Sequence, residues 1–164
     1  VLQEGARICI ARAESRYGVA KVSSTGTRLP LHCGASGRVL LAYMDEQERK
    51  KIISQGQLQR YTPFTIVDPE QLEMNLEQIR KQGYAISNNE REIGAYSVVA
   101  PVWNANNKVV ASLAISGPSF RFSEEQLQKN LQLVLNFAQE ISAKLGYVKV
   151  IKRNEMKRGD RALT

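Results

Sequence analysis

Two strands joined by a short polar turn constrain the fold of this chain more than any other feature. Tyr96–Trp103 and Val109–Ser116 are rich in β-branched residues, and Asn104–Asn107 connects them. So short a connection allows only antiparallel pairing, because parallel strands need a crossover of about a dozen residues or more. Gly117 and Pro118 then end the second strand. The sequence therefore predicts a β-hairpin within an antiparallel sheet.

A helix is predicted from Gly34 or Ala35 to about Met44. Its residues are apolar over much of the helix surface, so we expect the helix to be buried. Gly34 and Gly37 fall in its first turn, where each glycine costs about 1 kcal/mol relative to alanine. Close approach of another backbone segment or of a ligand would explain both glycines.

Start and stop signals define two more helices. Asp45 is placed to cap a helix that ends at Gly56. Asp68 and Pro69 begin another, because a capping carboxylate followed by proline is a typical helix start, and that helix ends at Gly83.

The last helix begins after Ser123, with Gln126 in the capping-box position, and ends at Gly146. One apolar stripe runs along it and is expected to pack against the sheet. The stripe consists of Leu127, Leu131, Val134, Ala138, Ile141 and Leu145.

The remaining segments are predicted to be short strands and loops. Residues 6–13 and 19–23 alternate as strands do, and 84–87 form another short strand. Residues 57–67 and 88–94 are rich in polar and turn-forming residues and are predicted to be connections. Tight turns join the predicted strands, and the predicted helices fall in separate runs. This order indicates the α+β class, an antiparallel sheet flanked by helices.

Length and composition fit one domain without a metal or a disulfide framework. The 164 residues are 43% hydrophobic, and no apolar run reaches the roughly 18 residues that span a bilayer. The opening residues are not typical of a signal peptide, so we expect a cytoplasmic protein. Cys9, Cys33 and His32 are too few for a zinc site or a disulfide scaffold, and no cofactor is expected.

The net charge of +7 is concentrated at one end of the chain. Residues 148–164 contribute +4, and the other 147 residues carry only +3, from 17 basic and 14 acidic side chains. Because the body is nearly neutral, the charge does not by itself indicate DNA binding. We interpret the basic tail as a solvated terminus, with contact to an acidic partner as the alternative.

Three segments resemble the effector-binding domain of the IclR family of transcriptional regulators. They are LPLHCGASGRVLLA at 29–42, GYAISNNEREIGAYSVVAPV at 83–102 and ASLAISGPSFRF at 111–122. The helices between them match in order and length, and the resemblance covers about residues 1–146. Three segments in register are far more specific than one. The departures are Val99 and Trp103, which are larger than usual for the family, and Ser97, where cysteine is common.

The resemblance implies a GAF-like α+β effector-binding domain over residues 1–147 and a basic tail over 148–164. Family chains begin with a winged helix-turn-helix, a linker helix, and then a helix and first strand of the sensing domain. Residues 1–5 resemble the turn after that strand, so we expect that strand, its helix and the DNA-binding domain to be missing. We expect the strand VKVI (148–151) or a second chain to cover the sheet edge left open.

Candidate effector-binding residues lie at the start of the first predicted helix and around the hairpin. Backbone amides at Gly34, Ala35 and Ser36 suit a carboxylate or phosphate, because a helix N-terminus carries free N–H groups and partial positive charge. The alternative is that these small residues only allow close packing. Arg38 is expected to face solvent rather than to pair with an acidic ligand.

The other candidates come from the strands and from the connection before them. Ser97 and Ser116 are possible polar anchors in an apolar pocket, or ordinary outward-facing serines. Asn89 and Glu90 are expected either to close the pocket or simply to form a turn. Two apolar residues are expected to line the pocket wall or the core, namely Val99 and Ile115.

The leading hypothesis is a ligand-sensing domain of a bacterial transcriptional regulator, and we expect a repressor. A small metabolite, most simply a carboxylate, would control DNA binding by the winged helix-turn-helix. The resemblance implies a homodimer or homotetramer, DNA contact only through the missing domain and no membrane association. The alternatives are a GAF-type signalling or oligomerisation module without a metabolite, and an enzyme using Cys33 beside His32. The enzyme is disfavoured because no third orienting group is visible.

Overall fold

The computed structural model describes residues 1–13, 24–56 and 58–148. Within them the strands are β1 (Leu2–Gln3), β2 (Ala6–Ile8), β3 (Arg28–Leu29), β4 (Ala85–Asn88), β5 (Ala95–Trp103) and β6 (Val109–Pro118). The helices are α1 (Ala35–Ala42), α2 (Glu46–Gln55), α3 (Pro69–Gln82) and α4 (Glu124–Lys144), and a 3-10 helix spans Ser119–Arg121. The strands form two antiparallel sheets, in the orders β1-β2-β3 and β4-β5-β6. The α+β prediction is confirmed.

The predicted hairpin is β5 and β6. Ser97 is paired with Ser116, and Val99 with Ala114, in an antiparallel register. The turn is closed by the Asn104 N–H, which donates to the Lys108 carbonyl at 2.9 Å. A register shift near Trp103 interrupts the ladder at the turn end of β5.

The predicted helix starts are confirmed by their caps. The Asp45 carboxylate accepts hydrogen bonds from the Gln47 and Glu48 N–H groups, and the Asp68 carboxylate accepts one from Gln71. Ser123 caps α4 in the same way through Gln126. Each of these bonds satisfies one backbone donor that a helix start leaves without a partner.

The two glycines at the start of α1 have different causes. Gly34 precedes the helix with a φ of 82°, in the left-handed region that other residues rarely adopt. Gly37 lies so close to the preceding segment that a Cβ there would be 2.6 Å from the Leu31 carbonyl oxygen. The close approach expected from the sequence is therefore made by the chain's own backbone.

Both faces of the β4-β5-β6 sheet are covered by helices. One face of β4 and β5 packs with α1 and α3 through buried residues such as Val39, Leu76 and Val99. The opposite face packs with α4 through Val98 and Val134, among others. Alternate residues of β5 therefore point into two separate hydrophobic clusters, as strand geometry requires.

The inner stripe of α4 ends earlier than predicted. Val134 and Ala138 are buried, but Ile141 and Leu145 are 38% and 46% exposed, so these two assignments were wrong. Ser142 is buried in their place, and its hydroxyl accepts a hydrogen bond from the Trp103 N–H at 2.9 Å. The register shift in β5 explains the difference, because it leaves that backbone N–H in need of an acceptor.

The N-terminal strands are shorter than predicted. β2 ends at Ile8, and Ile10, expected within the same strand, is 62% exposed. The predicted strand 19–23, and residues 149–151 of the predicted tail strand, lie outside the described residues.

Two side chains donate hydrogen bonds to backbone carbonyl groups in the edge strand β4 and just before it. Arg38 donates to the Ile86 carbonyl at 2.8 Å, and the Gln82 amide donates to the Tyr84 carbonyl at 2.7 Å. In the described residues β4 and β6 are each paired only with β5. None of the described helices is long and apolar enough to cross a membrane.

Candidate functional site

A row of three serines crosses the sheet on the face that α1 covers. Ser87 is paired with Ser97, and Ser97 with Ser116, and residues directly opposite in an antiparallel sheet share a face. Val99, two residues beyond Ser97, packs in the same cluster as Ala35 of α1. Ser87 is buried, Ser97 is half-buried and Ser116 is exposed, so the row runs from the interior to solvent.

The N-terminus of α1 contacts a carboxylate that belongs to the protein itself. The Gly34 N–H donates to Oε2 of Glu90 at 3.2 Å. A negative charge is stabilised there by the free N–H groups and the helix dipole. The anion position expected for a ligand at Gly34 is therefore occupied by Glu90.

Arg38 neutralises this carboxylate from within α1. Its Nη2 forms an ion pair with Oε1 of Glu90 and also donates to the Ile86 carbonyl, and its Nη1 donates to Oδ1 of Asn75 at 2.5 Å. The Arg38 side chain is only 2% exposed, so the expectation that it faces solvent was wrong. Three partners from α3, β4 and the following loop accept hydrogen bonds from its Nη1 and Nη2, which offsets the cost of burial, whereas its buried Nε has no acceptor among the described residues.

Glu90 has a shifted pKa. Burial raises the pKa of its carboxyl above the ordinary value, and the charge of Arg38 is the largest opposing influence. The Gly34 N–H and the Ser87 hydroxyl also favour the charged form. Glu90 thus links the start of α1 to the serine row.

Two threonines hold the backbone around Glu90. The Thr65 hydroxyl donates to the Glu90 carbonyl at 2.6 Å, and the Thr62 hydroxyl donates to the Asn89 carbonyl at 2.7 Å. Asn89 has a φ of 59°, and its side chain accepts a hydrogen bond from the Gly94 N–H at 2.6 Å. The Asn89 side chain therefore stabilises the turn, which is the second of the two roles expected for it.

Most of the predicted site residues lie together, with one exception. Gly34, Ala35 and Ser36 begin the helix that covers the serine-bearing face, and Glu90 contacts that helix. Ile115, however, is opposite Val98 in the register and packs in the cluster beneath α4. It cannot share a pocket wall with Val99, because the two side chains lie on opposite faces of the sheet.

Four important residues of this site were not among the predicted ones. They are Ser87, Thr62, Thr65 and Asn75. Only Ser87 had a usable signal, because extending the hairpin register by one strand places it opposite Ser97. The threonines and Asn75 act through contacts that depend on tertiary packing.

Two cavities of the described residues lie elsewhere. One of about 260 Å³ lies between α3 and the start of β4, with Gln78 and Tyr84 in its lining. Another of about 190 Å³ lies between the N-terminal segment and α2, with His32 and Tyr61 in its lining. The nine predicted site residues line neither cavity, and the serine row opens toward solvent at Ser116.

Cys33 and His32 do not form a nucleophile and its base. Burial raises the pKa of the Cys33 thiol to about 11, with the negative charge of Glu90 as the next cause. The thiol donates to the Glu90 carbonyl at 3.5 Å, whereas His32 Nε2 lies 3.0 Å from the Gln59 carbonyl oxygen. A protonated, buried thiol is a poor nucleophile. The described residues also contain no group of three or more side chains suited to hold a metal ion.

Solved structures define the class of this fold. It matches the crystal structure of Thermotoga maritima IclR with a TM-score of 0.83 at 37% identity, over 89% of this chain and 60% of that one. It also matches the inducer-binding domain of the PobR transcription factor from Acinetobacter, solved as a double mutant with 3-hydroxybenzoic acid. There the TM-score is 0.78 at 31% identity, over 87% of this chain and 84% of that one. The fold is that of an effector-binding domain of transcriptional regulators.

Sequence comparison gives the family. The family described as the bacterial transcriptional regulator IclR C-terminal region matches residues 1–143, so the chain belongs to the IclR family. The Escherichia coli regulator KdgR is 39% identical over 146 residues, which are 89% of this chain and 56% of KdgR. The E. coli repressor AllR is 36% identical over 139 residues, which are 85% of this chain and 51% of AllR. The chain spans about half the length of these relatives, which are regulators and not enzymes.

Proposed function

We propose that this chain is the part of a transcriptional repressor that senses a small carboxylate metabolite. The observation that carries the proposal is the placement of Ser97 and Ser116 on the sheet face beside the N-terminus of α1. Ser97 is half-buried and Ser116 is exposed, and a few polar groups placed beside apolar side chains are what orient a small ligand. The 3-hydroxybenzoic acid bound by PobR is a compound of the proposed class.

Ligand binding would act through elements that meet at this site. Glu90 joins α1, the 89–94 loop and, through Thr62 and Thr65, the segment before α3. A ligand that contacts the serine row and this loop favours the arrangement that it binds more tightly, and only such a difference can shift the equilibrium. We propose that a cytoplasmic winged helix-turn-helix in the same protein responds by changing its affinity for DNA.

The test is a screen of acids by thermal shift, followed by calorimetric titration. Aliphatic and aromatic monocarboxylates and dicarboxylates are compared with their neutral amides. We expect at least one acid, and not its amide, to raise the Tm of the wild-type protein. Combined Ser97→Ala and Ser116→Ala substitutions should weaken that binding about tenfold, since two hydrogen bonds are lost.

Ser54→Ala is the matched control, because Ser54 is an exposed serine on α2, far from the row. Equal binding by the double variant and the control would contradict the proposed location. No stabilisation of the wild type by any acid would favour the alternative, a signalling or oligomerisation module without a metabolite.

Self-association into a homodimer or homotetramer remains a prediction. The outer face of α4 supports it, because Leu133 and Phe137 are 46% and 51% exposed there. No charged residue occurs between Lys129 and Glu140, and depletion of charge is typical of interface cores. Light scattering should show a lower mass in solution for the Phe137→Asp variant than for a Met74→Asp control, because Met74 is also exposed. Unchanged mass for both variants would contradict this use of α4.

A further inference from the structure

Among the described residues three arginines have a buried N–H group without an acceptor, and two of them, Arg7 and Arg91, lie outside the Arg38–Glu90 ion pair. Nε of Arg7, on β2, and Nη1 of Arg91, in the loop after Glu90, are both shielded from solvent and make no hydrogen bond. Burial without an acceptor is costly for a guanidinium nitrogen. The described residues therefore supply no acceptor for these two atoms.

Arg7 and Arg91 are both attached to segments that meet the start of α1. Strand β2, which carries Arg7, contacts α1, and Arg91 follows Glu90, whose carboxylate accepts a hydrogen bond from the Gly34 N–H. Burial lowers the pKa of Arg7, and the positive charge of Arg91 is the next cause. Cys33, the residue before Gly34, interacts electrostatically with both arginines. Its thiol also donates to the carbonyl of Glu90, the neighbour of Arg91. Contacts between β2 and α1 place Arg7 on the same side of the protein.

Two carboxylates of this region, those of Glu90 and Glu4, are engaged with other groups. Glu90 accepts hydrogen bonds through Oε1 from Arg38 and through Oε2 from the Gly34 N–H. Glu4, on the turn before β2, forms its ion pair with Arg28. Arg7, Arg38 and Arg91 therefore bring three positive charges to the region around the start of α1, where Glu90 is already paired with Arg38.

We propose that Arg7 and Arg91 bind a carboxylate of the effector, and that they select effectors with two acidic groups. One acidic group would lie between the two guanidiniums, which present planar forks of donors that match a carboxylate. The rest of the effector would reach the serine row across the Glu90 loop. This inference rests on the proposed function, and it adds the residues that determine which acids bind.

The position of Glu90 explains why arginines are needed here. A ligand carboxylate at the first backbone N–H of α1 would have to displace Glu90 from both Gly34 and Arg38. Binding at Arg7 and Arg91 leaves those contacts intact and supplies the acceptor that the two guanidiniums lack. A single acidic group satisfies only this end of the site, so a second acidic group gains hydrogen bonds from the hydroxyls of Ser97 and Ser116.

The experiment compares binding of succinate, inorganic phosphate and butyrate by calorimetry at constant ionic strength. We expect succinate to bind the wild-type protein at least tenfold more tightly than butyrate. Arg7→Gln and Arg91→Gln should each weaken succinate binding at least tenfold. Lys108→Gln is the control, because it removes one positive charge from the exposed turn between β5 and β6.

Conservative variants keep the test valid if a glutamine variant does not fold. Arg7→Lys and Arg91→Lys retain the charge but not the fork, and should bind succinate less tightly than the wild type does. Succinate affinity equal to that of the wild type in all arginine variants would overturn the inference, as would failure of succinate and phosphate to bind at all. The proposed function fails in a different way, with no response of the wild type to any acid in the wider screen.

Discussion

Arg38 and Glu90, 52 positions apart in the sequence, form an ion pair inside the protein, with 2% and 9% of their side chains exposed. Removal of one partner from a buried pair leaves an uncompensated charge and costs about 3–5 kcal/mol. We expect Arg38→Met to lower the free energy of unfolding by this amount, measured by urea denaturation. Lys50→Met, which breaks an exposed pair with Glu46, should change the free energy of unfolding far less, because water screens that pair. Equal losses in the two variants would show that the Arg38 pair is not buried in solution.

Cys33 makes stability depend on alkaline pH. Burial raises the pKa of its thiol from 9.0 to about 11 in the folded protein. The folded state therefore keeps the proton to higher pH, and this contribution is present below pH 9 and lost as the pH rises toward 11. We expect the free energy of unfolding to fall by up to about 2–3 kcal/mol over that interval.

The Cys33→Ala variant tests this contribution, since it removes the thiol and keeps every other titratable residue. Urea denaturation at several pH values should show a smaller alkaline loss in the variant than in the wild type. A loss of the same size in both proteins would rule out Cys33 as its source.

Ser142 is expected to stabilise the turn end of the sheet. Its hydroxyl accepts a hydrogen bond from the Trp103 N–H and donates one to the Ala138 carbonyl at 2.6 Å. Ser142→Ala leaves a backbone donor without its acceptor, which costs about 1–3 kcal/mol. Hydrogen exchange at the Trp103 amide should accelerate, while Ser54→Ala should change neither stability nor that exchange rate. Slow exchange in Ser142→Ala would mean that another group accepts this hydrogen bond.

Gly37→Ala should reverse the usual effect of such a change in a helix. Alanine normally stabilises a helix by about 1 kcal/mol relative to glycine. Here the new Cβ would lie 2.6 Å from the Leu31 carbonyl oxygen and 2.7 Å from that of Pro30, and both are backbone atoms. We expect a clear fall in Tm for Gly37→Ala. An unchanged or higher Tm would show that the segment 30–31 can move away from α1.

The parts of the fold that sequence predicts well are those governed by local rules. The hairpin of β5 and β6 follows from alternation and a short turn, and the caps at Asp45, Asp68 and Ser123 follow from the needs of a helix start. The pairing of Ser97 with Ser116 required the register, which the turn length largely sets. The family resemblance supplied the placement of these elements in one domain.

The errors lie where a distant residue decides the environment. The sequence favours a solvent-facing Arg38, because its partners Glu90 and Asn75 are brought beside it only by tertiary packing. Ile141 continues the apolar spacing of α4, but the register shift at Trp103 favours Ser142 as the buried residue. Ile115 was grouped with Val99 because strand position alone does not tell which of the two faces a helix covers.

The side chains that occupy carbonyl groups of β4 limit how copies of this sheet can join. Arg38 and Gln82 already donate to the carbonyl groups of Ile86 and Tyr84, so an incoming strand could not pair with these acceptors on the margin at β4. In the described residues no side chain is seen to occupy the outer margin at β6 in this way. Endless head-to-tail stacking requires two receptive margins on every copy. Among the described residues this sheet has one such margin, so joining through it favours a symmetric pair over an open fibre, and the arginine that neutralises Glu90 helps to set that limit.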